Sequence, residues 1–182
     1  MPAAKDAEFY ILIARCSKRN RQAQNELYKL YFSYGMSICT RYVNDRSAAI
    51  TILNDAFLRI FNNLNTYNTE LDFKPWFKTI VVRSAINYLK KMKKYKLEMN
   101  IDNAKTISTN EDFLSKFNYI ELLEMIQSLT LAYRTVFNMY VIDGYKHNEI
   151  ANTLGITVST SKSNLTRAKQ KLRELISKRN KD

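Results

Sequence analysis

The stretch from Tyr145 to Leu175, YKHNEIANTLGITVSTSKSNLTRAKQKLREL, constrains the fold more than any other part of the chain. Its first segment places Ile150, Ala151 and Leu154 at helical spacing. Gly155 follows, and helices commonly end in a left-handed residue that glycine adopts without steric cost. Apolar Ile156 comes next, then Thr157, whose hydroxyl can accept from the free N–H groups of a new helix. From Val158 onward, a turn of about 100° per residue lines up Leu165, Ala168 and Leu172, with Ser161 in register. Thr160, Ser163, Asn164 and Arg167 form a second stripe, at i, i+3, i+4 and i+7. The first stripe can pack and the second is free to touch a partner. Helix, glycine turn and second helix with a polar, basic outer face are the parts of a helix-turn-helix. A plain helical hairpin would share the periodicity, but it would not need Gly155, Ile156 and Thr157 together at the turn.

Composition sets the frame around this motif. The chain has 182 residues, 46% of them hydrophobic, which suffices for one or two domains with real cores. Only 3 glycines and 2 prolines are present, too few for the tight turns that β-hairpins favour. The fold class expected is therefore all-α. Lys and Arg number 29 against 17 Asp and Glu, a net charge of +12. Such an excess suits a polyanion, nucleic acid before anionic membrane. Cys16 and Cys39 each sit in an apolar helical pattern and read as reduced core residues of a cytoplasmic protein. His147 has no companion at ligand spacing, so a surface place and no metal or cofactor are expected. The N-terminus lacks a signal peptide's apolar core and cleavage site. No apolar run reaches the roughly eighteen residues of a membrane span.

Helical periodicity begins at 6–17, with Asp6 as a cap and Phe9, Ile13 and Cys16 on one face. It resumes after Asn20, over 21–43, with Leu27, Leu30, Tyr31, Tyr34 and Ile38. Asn44-Asp45 breaks it, and 46–63 carries Ala49, Ile52, Leu53, Ala56, Phe57, Ile60 and Phe61. Residues 62–71 are polar and loop-like. Asp72 can cap the next helix, where Pro75 is tolerated in the first turn and Trp76, Phe77, Ile80, Val81, Ile86 and Leu89 follow. The run then turns basic at Lys90, Lys91, Lys93, Lys94 and Lys96, interleaved with Tyr88 and Tyr95. Cations meet phosphates while bases stack on rings, so this pattern favours nucleic acid over a merely solvated face. Periodicity fades between Glu98 and Lys116. Helices return near Tyr119, with Ile120, Leu123 and Ile126, and again over 131–142 after Thr130, with Val136, Phe137 and Tyr140. Gly144 ends that helix, and Lys178, Arg179 and Lys181 make a basic tail. The organisation expected is two small helical domains, 1–96 and 118–182, joined by a flexible linker over 97–117, the second domain a helix-turn-helix.

Three segments resemble, in order, those of the extracytoplasmic-function (ECF) sigma factors of bacterial RNA polymerase, over nearly the whole chain. The first is Ala49 to Leu58, AITILNDAFL, which resembles that family's A-E-D-L-V-Q-E-x-F-L. The resemblance implies that this helix binds the clamp helices of the polymerase's largest subunit, through Asn54, Asp55 and Leu58. The second is Trp76 to Lys90, which resembles W-L-x-R-I-A-x-N-x-x-x-D-x-L-R, with Arg83 in place of the asparagine and Asn87 in place of the aspartate. It implies that this helix and the 62–71 loop melt and read the minus-ten promoter element, through Trp76, Arg83, Asn87 and Lys90. A lone tryptophan on an apolar stripe serves equally as core, and the sequence leaves both roles open. The third is Glu149 to Ala168, which resembles E-I-A-x-x-L-G-I-S-x-G-T-V-K-S-R-L-x-R-A. It implies major-groove binding at the minus-thirty-five element.

Within that last helix the residues divide by chemistry. Asn164 and Arg167 can make paired hydrogen bonds to base edges, each discriminating by about 1–3 kcal/mol. Thr160 and Ser163 share their face. Lys162 flanks it and suits a phosphate, a contact that positions without specifying. Ser161 faces the packing stripe and is not a reader. The function expected is a promoter-specificity subunit without an active site, with core polymerase and promoter DNA as partners. The family also allows an anti-sigma factor. A free-standing helix-turn-helix regulator would bind its operator without polymerase, usually as a dimer, and no dedicated dimerisation helix is evident. An enzyme on nucleic acid lacks support from any carboxylate cluster, metal-ligand spacing, phosphate loop or nucleophile–base pair.

Overall fold

Among the described residues every regular element is a helix. The structure, a computed structural model, describes residues 4–99 and 117–179, with side chains at 7–92 and 119–178. In order these are α1 (Ala4–Ser17), α2 (Arg21–Tyr42), α3 (Arg46–Asn63), a 3-10 turn (Leu64–Thr66) and α4 (Phe73–Met99). Then come α5 (Phe117–Ser128), α6 (Leu131–Phe137), a π-turn (Asn138–Ile142), α7 (His147–Leu154) and α8 (Val158–Arg179). They fall into two compact units, α1–α4 and α5–α8, apart from the short segment Arg41–Asn44.

Helix ends follow side-chain chemistry. Asn20 Oδ1 accepts from Ala23 N–H at 3.0 Å at the start of α2. Asp45 accepts from Ser47 and Ala48 at α3, and Asp72 from Lys74 N–H at 3.2 Å at α4. Each bond satisfies an N–H that the helix itself leaves unpaired. Two expected caps are corrected. The first helix begins at Ala4, so Asp6 lies inside it. Thr130 sits at the cap of α6 but its side chain makes no cap bond. Between α1 and α2, Arg19 takes a left-handed φ of 59°. Its N–H donates to Cys16 C=O at 2.9 Å and that of Asn20 to Arg15 C=O at 3.2 Å. This pair of bonds closes one helix while Asn20 opens the next.

The first unit is held by an aromatic core. Tyr31 of α2 lies 4.9 Å from Phe73 and 5.0 Å from Phe77 of α4, and Phe57 of α3 lies 5.5 Å from Phe77. Leu27, Ile38, Ile52, Leu53, Ile60, Val81 and Ile86 are buried around them, each burial contributing about 1.5–3 kcal/mol. Cys16 and Cys39 are buried and free. Burial pushes the Cys16 thiol up to about 11, Glu26 adding to the rise against Arg15, so it stays an unreactive thiol at neutral pH. Leu30, expected on the core face, is 61% exposed. At i+3 from Leu27 it lies just past the edge of the stripe defined by Leu27, Tyr31 and Ile38. The 62–71 segment is less loop-like than expected: α3 runs to Asn63, and Leu64 and Tyr67 are buried anchors.

In the second unit Leu129, Ala168 and Leu172 form a buried cluster on which Met125, Tyr133 and Phe137 pack. Tyr119, near which the helical pattern was expected to resume, is exposed on α5. The helix expected over 131–142 changes register at Asn138, where the π-turn closes with Asp143 N–H donating to Asn138 C=O at 2.9 Å. Most of the 97–117 linker lies outside the described residues, while α4 continues to Met99 and α5 starts at Phe117. The side chains of Lys93, Lys94, Tyr95, Lys96 and Arg179, and all of Lys181, also lie outside them. Among the described residues no helix is long and apolar enough to cross a membrane.

Candidate nucleic-acid interface

Residues nominated from the sequence fall on three helical faces. On α3 the buried stripe leaves Thr51, Asn54, Asp55, Leu58 and Asn62 on the opposite side, all exposed. Tyr28 of α2 donates its hydroxyl to Asn54 Oδ1 at 3.0 Å, which fixes the Asn54 amide. Leu58 is 63% exposed, one turn from Asp55. The open face of α3 thus presents an apolar side chain beside a carboxylate.

On α4, Trp76, Arg83, Asn87 and Lys90 share one stripe, at i, i+7, i+11 and i+14. Arg83, Asn87 and Lys90 are exposed and Trp76 is half-buried. The indole rests 5.2 Å from the Tyr67 ring and 5.5 Å from that of Phe73. Trp76 thus has an inner contact with the core and an outer one with solvent, and both readings left open by the sequence have a place. Its outer side opens on a cavity of about 280 Å³ lined by Arg59, Asn63, Thr66, Trp76, Ile80 and Arg83. Asn63 Nδ2 donates to Arg59 C=O at 2.7 Å and Thr66 Oγ1 to Asn63 C=O at 2.8 Å, so the rim is internally braced. An indole and an isoleucine for a planar ring, two guanidinium groups for phosphate and an amide for a base edge meet here. Asn87 and Lys90 lie beyond this cavity on the same stripe. Arg59 was not singled out from the sequence, and Asn63 and Thr66 entered only as members of the 62–71 loop. Arg59 and Asn63 stand i, i+4 on the polar side of α3, a face with many meanings.

The helix-turn-helix is closed at each joint. Glu149 accepts from Lys146 N–H at 2.7 Å at the start of α7. Gly155 ends α7 at φ 67°, ψ 40°, a region costing roughly 1–2 kcal/mol for a residue with a Cβ. Ile156 N–H then donates to Ala151 C=O at 3.1 Å. Thr157 Oγ1 accepts from Thr160 N–H at 3.0 Å and so caps α8. Ser161, Leu165, Ala168 and Leu172 are buried, as is Ile150 of α7. Thr160, Lys162, Ser163 and Arg167 are exposed and Asn164 is half-buried. Part of this outer face is already engaged. Ser163 Oγ donates to Thr160 C=O at 3.1 Å, and an Arg167 Nη1 reaches the Tyr133 hydroxyl at 3.4 Å. No intramolecular partner of Lys162 or Asn164 side chains is seen within hydrogen-bond reach among the described residues.

His147, expected at the surface, is half-buried and held on two sides. Its ring stacks on Tyr140 of the π-turn with centroids 4.4 Å apart. Its Nδ1 lies 2.9 Å from Ser161 Oγ. Burial lowers its pKa from the ordinary 6.5, and the cations of Lys162 and Lys169 lower it further. The signal for this was weak: an i-to-i+14 spacing across a turn has no periodic signature.

Two family models match the chain, Sigma-70 region 2 over residues 27–95 and Sigma-70, region 4 over residues 119–172. The RNA polymerase sigma factor SigV of Bacillus subtilis is 26% identical over 167 residues, 92% of each chain. The ECF RNA polymerase sigma factor SigM of the same organism is 24% identical over 83% of this chain and 93% of its own. The ECF RNA polymerase sigma-E factor of Escherichia coli is 24% identical over 88% of this chain and 90% of its own. Among solved structures, the sigma factor RpoE of Bartonella quintana, in complex with the anti-sigma factor NepR, shares the fold. It covers 84% of this chain and 96% of its own at a TM-score of 0.53 and 16% identity.

Proposed function

We propose that this chain, which belongs to the sigma-70 family and within it to the ECF sigma factors, works by binding alone and carries no active site. It binds core RNA polymerase and directs promoter recognition and transcription initiation. The single observation that carries this is the presence of both sigma-70 regions, in order, on one chain. Its place of work is the cytoplasm, where its polymerase and DNA are. An anti-sigma factor is a further partner proposed for it, after the Bartonella quintana sigma factor, whose structure holds one.

The division of labour follows the three faces. Residues 1–96 dock on polymerase and hold the minus-ten element, 97–117 link, and 118–182 hold the minus-thirty-five element. On α3, Asp55, Leu58 and Asn54 meet the clamp helices of the largest subunit. On α4, Trp76 and Arg83, with Arg59, Asn63 and Thr66 across the cavity, receive an unstacked base of the opened strand. Unstacking costs a few kcal/mol, which stacking on Trp76 offsets at about 1–3 kcal/mol per base. Asn87 and Lys90 extend the track along the strand. On α8, Asn164 and Arg167 read base edges with Thr160 and Ser163 beside them, while Lys162 takes a phosphate.

Asp55→Arg tests the polymerase face. Asp55 is exposed, so its replacement leaves stability within about 0.5 kcal/mol. Reversing a charge at a protein interface should weaken binding to core polymerase by about tenfold or more. Titration of labelled core enzyme with both proteins reads this directly. Equal affinity would remove the α3 assignment.

A further inference from the structure

We propose that His147 is the positioning residue of the recognition helix: through its bond to Ser161 it fixes the roll of α8 about its axis and so the aim of the residues that face DNA. The inference rests on the reading of α8 as the upstream-element reader. The buried stripe of α8 contains one polar side chain among the apolar Leu165, Ala168 and Leu172, and it is Ser161, fully buried. Apolar contacts are non-directional and tolerate a small roll of one helix on another. A hydrogen bond is directional and does not. The bond from His147 Nδ1 to Ser161 Oγ, at 2.9 Å, is therefore a contact that sets an angle.

Its location suits that task. Ser161 stands between Thr160 and Lys162, in the turn of α8 that begins the DNA-facing stripe. His147 is the first residue of α7 and is itself clamped by Tyr140, stacked at 4.4 Å with an interplanar angle of 23°. Tyr140 in turn is presented by the π-turn, whose extra residue per turn swings its side chains out of the α6 register. The chain of contacts runs from π-turn to α7 to α8, all within one unit. With side-chain tips about 6 Å from a helix axis, a roll of roughly 10° moves them by about 1 Å. Paired hydrogen bonds to base edges fail over such a displacement, whereas the contact of Lys162 with a phosphate, a point charge on a flexible stem, persists. Loss of the bond thus erodes discrimination and spares general DNA affinity.

The test is run-off transcription with core polymerase on paired promoters that differ by one base pair in the upstream element, read as the ratio of the two transcripts. His147→Phe keeps the ring on Tyr140 and deletes the bond, and Ser161→Ala deletes it from the other side. Each should lower the ratio by about fivefold, in the range that one net hydrogen bond supports, and the double variant should lower it no further than either alone. His147→Asn places an amide near the position of Nδ1 and should restore the ratio. A purely structural role would instead lower both transcripts equally and leave the ratio unchanged, and that result overturns the proposal, as does strict additivity in the double variant. Asn164→Ala runs alongside: if it shifts the ratio and His147→Phe does not, this inference alone fails. If neither shifts it, the reading of α8 fails.

Discussion

One imidazole joins three elements of the second unit, and its proton is thermodynamically linked to their assembly. The folded protein lowers the His147 pKa, first through burial and then through the cations of Lys162 and Lys169. Of the groups facing the ring, Tyr140 contributes a π-face and Ser161 a hydroxyl, while Glu149 on its own helix is turned to the Lys146 N–H. A group whose folded pKa lies below its unfolded value binds the proton better when unfolded. Its stabilising effect is therefore complete above the unfolded value of 6.5 and is lost as pH falls from there through the lower folded value. The melting temperature of the native chain, relative to that of His147→Asn, should accordingly fall as pH is lowered through 6.5 and below. A constant difference over that fall in pH would show that the ring is not linked to folding. The same residue marks a limit of reading the chain as text. The ring and Ser161 are fourteen positions apart across a turn, and only the fold brings them together.

Packing between helices supplies a second kind of constraint, clearest at Gly35 in the middle of α2. A Cβ there would run into Leu53 Cδ1 of α3 and come within 3.2 Å of Phe77 Cζ of α4. Leu53 and Phe77 are fully buried, so any shift they make is against packed neighbours. Gly35→Ala gains about 1 kcal/mol of helix propensity but overpacks the core at a cost of about 1–3 kcal/mol. The net expected is a destabilisation of roughly 1 kcal/mol, read as a lower urea midpoint at unchanged slope; an increase would mean the core repacks freely. This close approach could not be foreseen, because a lone glycine in a helical run says only that something is near. Much of what depends on local chemistry was legible: the caps at Asn20, Asp72 and Thr157, though not those expected at Asp6 and Thr130, the bounds of α3, the left-handed Gly155 and the stripes of α8. What depends on a neighbour was not: the exposure of Leu30, the burial of Tyr67, the π-turn that interrupts 131–142, and a cavity assembled from α3, the 3-10 turn and α4. The nominated α4 residues Trp76 and Arg83 line that cavity, while half of its wall was invisible from the α4 pattern alone.

The molecule as a whole carries a net charge of +12, which governs how it meets DNA before any base is read. Each phosphate neutralised releases counterions, so affinity for duplex falls steeply with salt, by roughly a thousandfold between about 50 and 200 mM for about six contacts. The free chain should bind duplex weakly and with little sequence preference, because phosphate contacts carry no sequence information. A filter-binding salt series checks this, and a tight, salt-insensitive, sequence-specific complex of the chain alone would instead favour a free-standing regulator. The central claim, a promoter-specificity subunit whose upstream choice lies on α8, meets its most direct test in reconstituted run-off transcription over a promoter library. The expected result is transcripts only when chain and core polymerase are both present, with an upstream preference that changes when Asn164 and Arg167 are replaced together by alanine. Transcripts independent of the chain, or an upstream preference indifferent to both residues, would contradict it.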